Sequence, residues 1–111
     1  MSLWVVKLGT SLLRGNQDVS TAQIIDQYSH CLANSKKRGD EIVLVTSGAV
    51  GLGCKCLGLK KRPEDVVSLQ AAAAIGQGQL MALYKEAMGL HGLKVAQVLL
   101  TRSDLESRKS Y

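Results

Sequence analysis

Phenylalanine is absent from the 111 residues, and one tryptophan and three tyrosines are the only aromatic side chains. A core must therefore be built from aliphatic residues and alanine, and no series of aromatics is available for stacking on nucleic-acid bases. Proline occurs once, at Pro63, so the composition is neither fibrous nor disordered. Cys31, Cys54 and Cys56 are an odd set, and Cys54-Lys55-Cys56 lacks the two-residue spacing of zinc and redox motifs. Small apolar thiols in a reducing compartment are expected. His30 and His91 do not keep metal-ligand spacing, no acidic residue falls at a strand end where it could hold Mg²⁺, and no Ser-His-Asp or Cys-His set can be assembled, so no metal residue is assigned. No basic leader precedes Leu3 and no apolar run is read as long enough to cross a bilayer, which points to a cytoplasmic protein without membrane contact.

What is present suits one compact domain: 46% hydrophobic and 21% charged residues in a chain able to bury about two-thirds of its unfolded surface. The net charge of +5 is divided between Lys36-Lys37-Arg38 and Lys60-Lys61-Arg62, with no aromatics interleaved. That spacing argues against nucleic acid and for solvated surface or attraction to anionic metabolites.

Leu3 to Leu8 is a continuous apolar run, the pattern of a strand covered on both faces, interrupted only by Lys7. An ammonium buried there would need an anion to offset its desolvation, and a phosphate would serve. Gly9, Gly15 and Asn16 punctuate a loop. Ser20 and Gln23 then form a capping box, Ile24, Ile25, Tyr28, Cys31 and Leu32 make a helical stripe, and Gly39 ends it behind three cations. Ile42 to Val45 is a second buried-type strand, giving a parallel βαβ unit whose ligand edge carries Lys7 to Ser11 and Thr46 to Ala49.

Gly48 to Gly58 is expected as a short, loosely packed helix, and Pro63-Glu64-Asp65 as the start of a longer one that Gly76 and Gly78 bend or divide. The smooth face of Ala71 to Ala74 would admit another helix closely, including one from a second subunit. Lys94 to Leu100 is expected as a third strand, and Ser103 with Glu106 as the cap of a helix hardly begun at Tyr111, as if the chain were cut inside an element.

Three stretches carry chemistry. Lys7-Leu8-Gly9-Thr10-Ser11 delivers a cation, a glycine and two hydroxyls to a strand end, although its order is not that of the P-loop. Thr46-Ser47-Gly48-Ala49 places a hydroxyl and free amides where a carboxylate or phosphate could bind. Leu100 to Arg108 is dense in charge and is read as a solvated helix start with weak intrahelical pairs.

VVKLGTS ending at Ser11, IVLVTSGAV over 42–50, LQAAAAIGQGQL over 69–80 and VAQVLLTRSDLESR over 95–108 resemble, in order and spacing, successive blocks of the glutamate 5-kinases, within the amino acid kinase family. The resemblance implies a three-layer αβα sandwich with a mostly parallel sheet. It also implies an enzyme that transfers phosphate from ATP, with Mg²⁺, to the γ-carboxylate of L-glutamate, the first step of proline synthesis. By matching position, Lys7 is similar to the catalytic, phosphate-binding lysine, Gly9, Thr10 and Ser11 to the phosphate loop, and Ser47, Gly48 and Ala49 to the glutamate-binding turn. A homo-oligomer is implied as well.

The family's later aspartate, asparagine, second lysine and adenine pocket have no counterpart here. Residues 1–111 are therefore expected as the N-terminal part of an incomplete kinase domain, inactive alone. Aspartate, carbamate, acetylglutamate or uridylate kinases are the nearest alternatives, against which the LLTRSDLESR block counts. A non-catalytic binding or assembly module is the alternative from another class.

Overall fold

The computed structural model describes residues 2–98. Strand β1 (Leu3–Leu8) and strand β2 (Glu41–Thr46) pair in parallel, in register from Leu3 opposite Glu41 to Leu8 opposite Thr46. Between them lie a single helical turn, α1 (Thr10–Leu13), inside the expected loop, and the helix α2 (Thr21–Lys37). The capping box forms at the start of α2: the Gln23 N–H donates to Ser20 Oγ at 3.2 Å and the Ser20 N–H donates to Gln23 Oε1 at 2.7 Å. Gly39, at φ 92°, takes the left-handed turn that ends it.

After β2 come α3 (Ala49–Cys56) and α4 (Val66–Gly89). The acids before α4 do act at its N-terminus, but Asp65 is the cap, accepting the Ser68 N–H at 2.8 Å. Neither Gly76 nor Gly78 divides α4, and α3 is not loosely packed. The two helices cross so closely that a Cβ on Gly53 would run into the Ala72 carbonyl, and one on Gly76 into the Ala49 carbonyl. The small residues of α4 thus receive α3 of the same chain. Glycine's helix penalty, about 1 kcal/mol, is offset by backbone contact that no larger residue permits.

The core joins Leu8, Leu13, Ile25, Leu80, Tyr84, Ala87 and Met88, with half-buried Val6 and Leu44 supplied by the inward side of the strands. The outward side is uncovered: Leu3, Val5, Val43 and Val45 are 63%, 67%, 51% and 46% exposed. Among the described residues the sheet is covered on one face only, because every helix that packs on the core cluster does so from the inward side. Lys7 shares the open face and is exposed, so no buried charge demands an anion.

Two further expectations change. Residues 93–98 form no strand; Leu93 and Val95 pack on the core as side chains while Ala96 to Val98 stay exposed, and the described sheet consists of β1 and β2. Leu99 and Leu100, and the Thr101–Arg108 stretch with its Ser103 cap, lie outside the described residues. Helix α4 is long and apolar enough, by length and composition alone, to cross a membrane. From Val66 to Tyr84 it is interrupted by glutamines and a serine but carries no charge. Its buried Ala72, Gly76, Leu80 and Tyr84 are nevertheless spent on α3, α2 and the strands.

Candidate functional site at the strand edge

Parallel pairing brings the C-terminal ends of β1 and β2 to one edge, and the chain beyond each strand stays paired there. The Ser47 N–H donates to the Leu8 carbonyl at 3.1 Å, extending the ladder one step past Thr46. Thr10 Oγ1 and Ser47 Oγ then meet at 3.0 Å across 37 residues of sequence. The two turns singled out by sequence are therefore in direct contact. Gly48 follows at φ 103°, a left-handed conformation that a side chain would strain, and caps α3 without a side-chain hydrogen bond. Ala49 begins the helix that is locked against Gly76.

Lys7 stands on the same edge, opposite Val45 in register, but its side chain rises from the outer face and is not held against the two hydroxyls. Gly9 is the cap residue of α1 at φ −82°, an ordinary backbone, with open space where a Cβ would stand; no close approach requires glycine there. Ser11 is exposed on the first turn of α1.

One participant escaped the sequence reading. The Tyr84 hydroxyl lies 2.7 Å from Thr46 Oγ1, and the Thr46 hydroxyl reaches the Ser47 carbonyl at 3.3 Å. Tyr84 therefore links the C-terminal part of α4 to the residue that precedes the Ser47 turn. Burial raises its phenol above the usual value of 10.0, with the Thr46 hydrogen bond acting weakly in the other direction. The available signal was a tyrosine on a buried helical stripe, whose hydroxyl must find a partner.

A cavity of about 440 Å³ opens beside Thr10 and Gly48 and runs over α3. Among the described residues no three His, Cys, Asp or Glu side chains gather to share a metal ion, so no Mg²⁺ step is assigned to them. Among the described residues the edge offers hydroxyls, amides and a nearby cation but no general base. That set suits binding and orienting anions, not proton abstraction.

A sequence model of the amino acid kinase family matches residues 2–111. The chain is 71% identical over all 111 residues to the glutamate 5-kinase of Prochlorococcus marinus (strain MIT 9313), covering 31% of that protein. It is 67% identical to the glutamate 5-kinase of Synechococcus sp. (strain CC9902) and 65% identical to that of Synechococcus sp. (strain CC9605), again over its whole length and 30% of each relative. The chain thus spans about 30% of the length of the curated relatives it matches.

Proposed function

Because the chain belongs to the amino acid kinase family, we propose that it is the N-terminal part of a glutamate 5-kinase, a phosphotransferase acting on the γ-carboxylate of L-glutamate with ATP. The observation that carries this reading is the 3.0 Å contact between Thr10 and Ser47, which joins a phosphate-type turn to a carboxylate-type turn at one sheet edge. The names of the relatives supply the acceptor, and the kinase reading supplies the nucleotide.

In this reading a γ-carboxylate oxygen of glutamate bonds to the terminal phosphorus of ATP as the bond to the departing ADP breaks, leaving γ-glutamyl phosphate. Two anions must approach, so the work is positioning and charge neutralisation. Lys7, whose flexible stem is free on the outer face, meets the transferring phosphate. At 4 Å and an effective dielectric near 20 it contributes about 4 kcal/mol of attraction per unit charge. Gly9, Thr10 and Ser11 line the phosphate side, and Ser47, Gly48 and Ala49 hold glutamate, with Gly48 permitting the backbone turn. Mg²⁺, when bound with ATP, supplies further neutralisation of phosphate charge.

The same reading makes the fold a three-layer αβα sandwich. The uncovered apolar face of Leu3, Val5, Val43 and Val45 supports this, since such a face is stable only when another layer or partner covers it.

The test is Lys7→Ala in the intact protein, followed by trapping γ-glutamyl phosphate as its hydroxamate. We expect kcat to fall about 10²- to 10³-fold while KM for glutamate moves little. An unchanged kcat removes Lys7 from the reaction, and hydroxamate formed from aspartate in preference to glutamate removes the acceptor assignment.

A further inference from the structure

The cavity beside Thr10 and Gly48 differs from the strand edge it adjoins. Its lining includes the apolar side chains Leu13 and Leu52, and also Arg14, Lys55, Lys60, Lys61 and Arg62, with no acidic residue among them. Three separate segments contribute these cations: the end of α1, the last turn of α3, and the connection from α3 to α4. The carboxylate of Asp65, close by in sequence, is committed to capping α4. Five like charges around one opening attract counter-anions and concentrate them there. A volume of about 440 Å³ lies within the usual range for small-molecule sites.

We infer that this cavity is a binding site for a small anion carrying two or more negative charges, phosphates or carboxylates, held by Arg14, Lys55 and the Lys60-Lys61-Arg62 segment with its body over Leu13 and Leu52. The other basic cluster shows what is specific here. Lys36-Lys37-Arg38 carries the same three charges, but at the carbonyl end of α2, where cations suit the helix dipole. It lines neither this cavity nor the smaller one at His30 and His91. The inference stands on charge and cavity shape and rests in part on the proposed reading of the strand edge, with which the cavity shares two residues. Through Thr10 and Gly48, which the cavity shares with that edge, an occupant would sit against both turns.

The test is calorimetric titration of the intact protein with tripolyphosphate and, separately, with citrate, at about 0.15 M salt to screen diffuse attraction. Saturable one-to-one binding is expected for at least one probe. Tripolyphosphate alone identifies phosphate ligands, and citrate alone carboxylates. The triple variant Lys60→Gln, Lys61→Gln, Arg62→Gln is expected to weaken binding about tenfold or more, and the matched triple Lys36→Gln, Lys37→Gln, Arg38→Gln less than about twofold. Arg14→Gln alone provides an independent reading, expected at about threefold, should the first triple fail to fold by circular dichroism. Equal weakening by the two triples, or no saturable binding of either probe, overturns the site. Since binding is read without turnover, loss of the kinase reading would leave the result standing.

Discussion

The two sides of the β1–β2 pair are built from similarly apolar strands, yet they end in opposite environments. Val6, Leu8 and Leu44 turn inward onto Ile25, Leu80 and Tyr84, whereas Val5, Val43 and Val45 turn outward into solvent beside Lys7. The inward side is closed by helices that approach to backbone contact, and the outward side has no layer at all among the described residues. The difference separates what stabilises the described residues among themselves from a face that is open to a further layer or partner. Lys7 belongs to the open side, so the role proposed for it would depend on what covers that face.

The largest effect should come from closing the tightest contact. Gly76→Ala sets a methyl group against the Ala49 carbonyl and is expected to cost about 4 kcal/mol or more, read as a collapse of the urea midpoint. A loss under about 1 kcal/mol would mean that α3 and α4 stand further apart than described. Next, Leu80→Ala on the closed side should cost about 3 kcal/mol, and Val43→Ala on the open side no more than about 0.5 kcal/mol in the 111-residue chain. The same Val43→Ala in the intact protein sharpens the contrast: a cost above about 1 kcal/mol there means that the outer face has been covered.

The smallest effect is expected at the link between the closed side and the site. Tyr84→Phe removes one hydrogen bond to Thr46, about 1 kcal/mol, and should raise KM for glutamate more than it lowers kcat in the intact protein. Its pH dependence has a definite sign. An unfolded tyrosine ionises near pH 10.0, while burial raises Tyr84 in the folded chain. Its contribution to stability is whole below pH 10 and is lost as pH climbs through the raised value. Thermal melts between pH 9 and 11 should therefore fall less steeply for Tyr84→Phe; parallel curves would show that Tyr84 does not titrate with unfolding.

Much of this was readable from residues that act locally. Ser20 with Gln23 and Gly39 after three cations place helix ends by hydrogen bonds made within one turn, so spacing alone reveals them, whereas Pro63 sets the expected start of α4 ahead of its actual cap, Asp65. β1 and β2 were readable from apolar runs, and their common edge from the rule that a strand, helix and strand in succession run parallel. What escaped depends on distant partners. Nothing in the neighbourhood of Gly76 distinguishes a helix break from a seat for Ala49, and nothing around Tyr84 announces Thr46. The open face is invisible for the same reason, since an apolar alternation states which side chains seek cover and not whether cover is present. Val95 to Val98 have strand composition but take no strand conformation among the described residues, because composition states a propensity and not a pairing.

The glycine contact between α3 and α4 also limits motion. A helix seated backbone against backbone cannot turn about its axis by even one residue without driving a Cβ into a carbonyl, and it cannot slide without leaving that seat. The turn at Ser47, Gly48 and Ala49 is fastened to such a helix at one end and to the β2 ladder at the other, so it has almost no freedom to follow a ligand. Whatever adjustment accompanies binding has to be made by the partners that are not interlocked: the Lys7 side chain, the single turn of α1, and the basic connection between α3 and α4. One wall of the edge is an anvil, and any closure on it would fall to the pieces that are not interlocked.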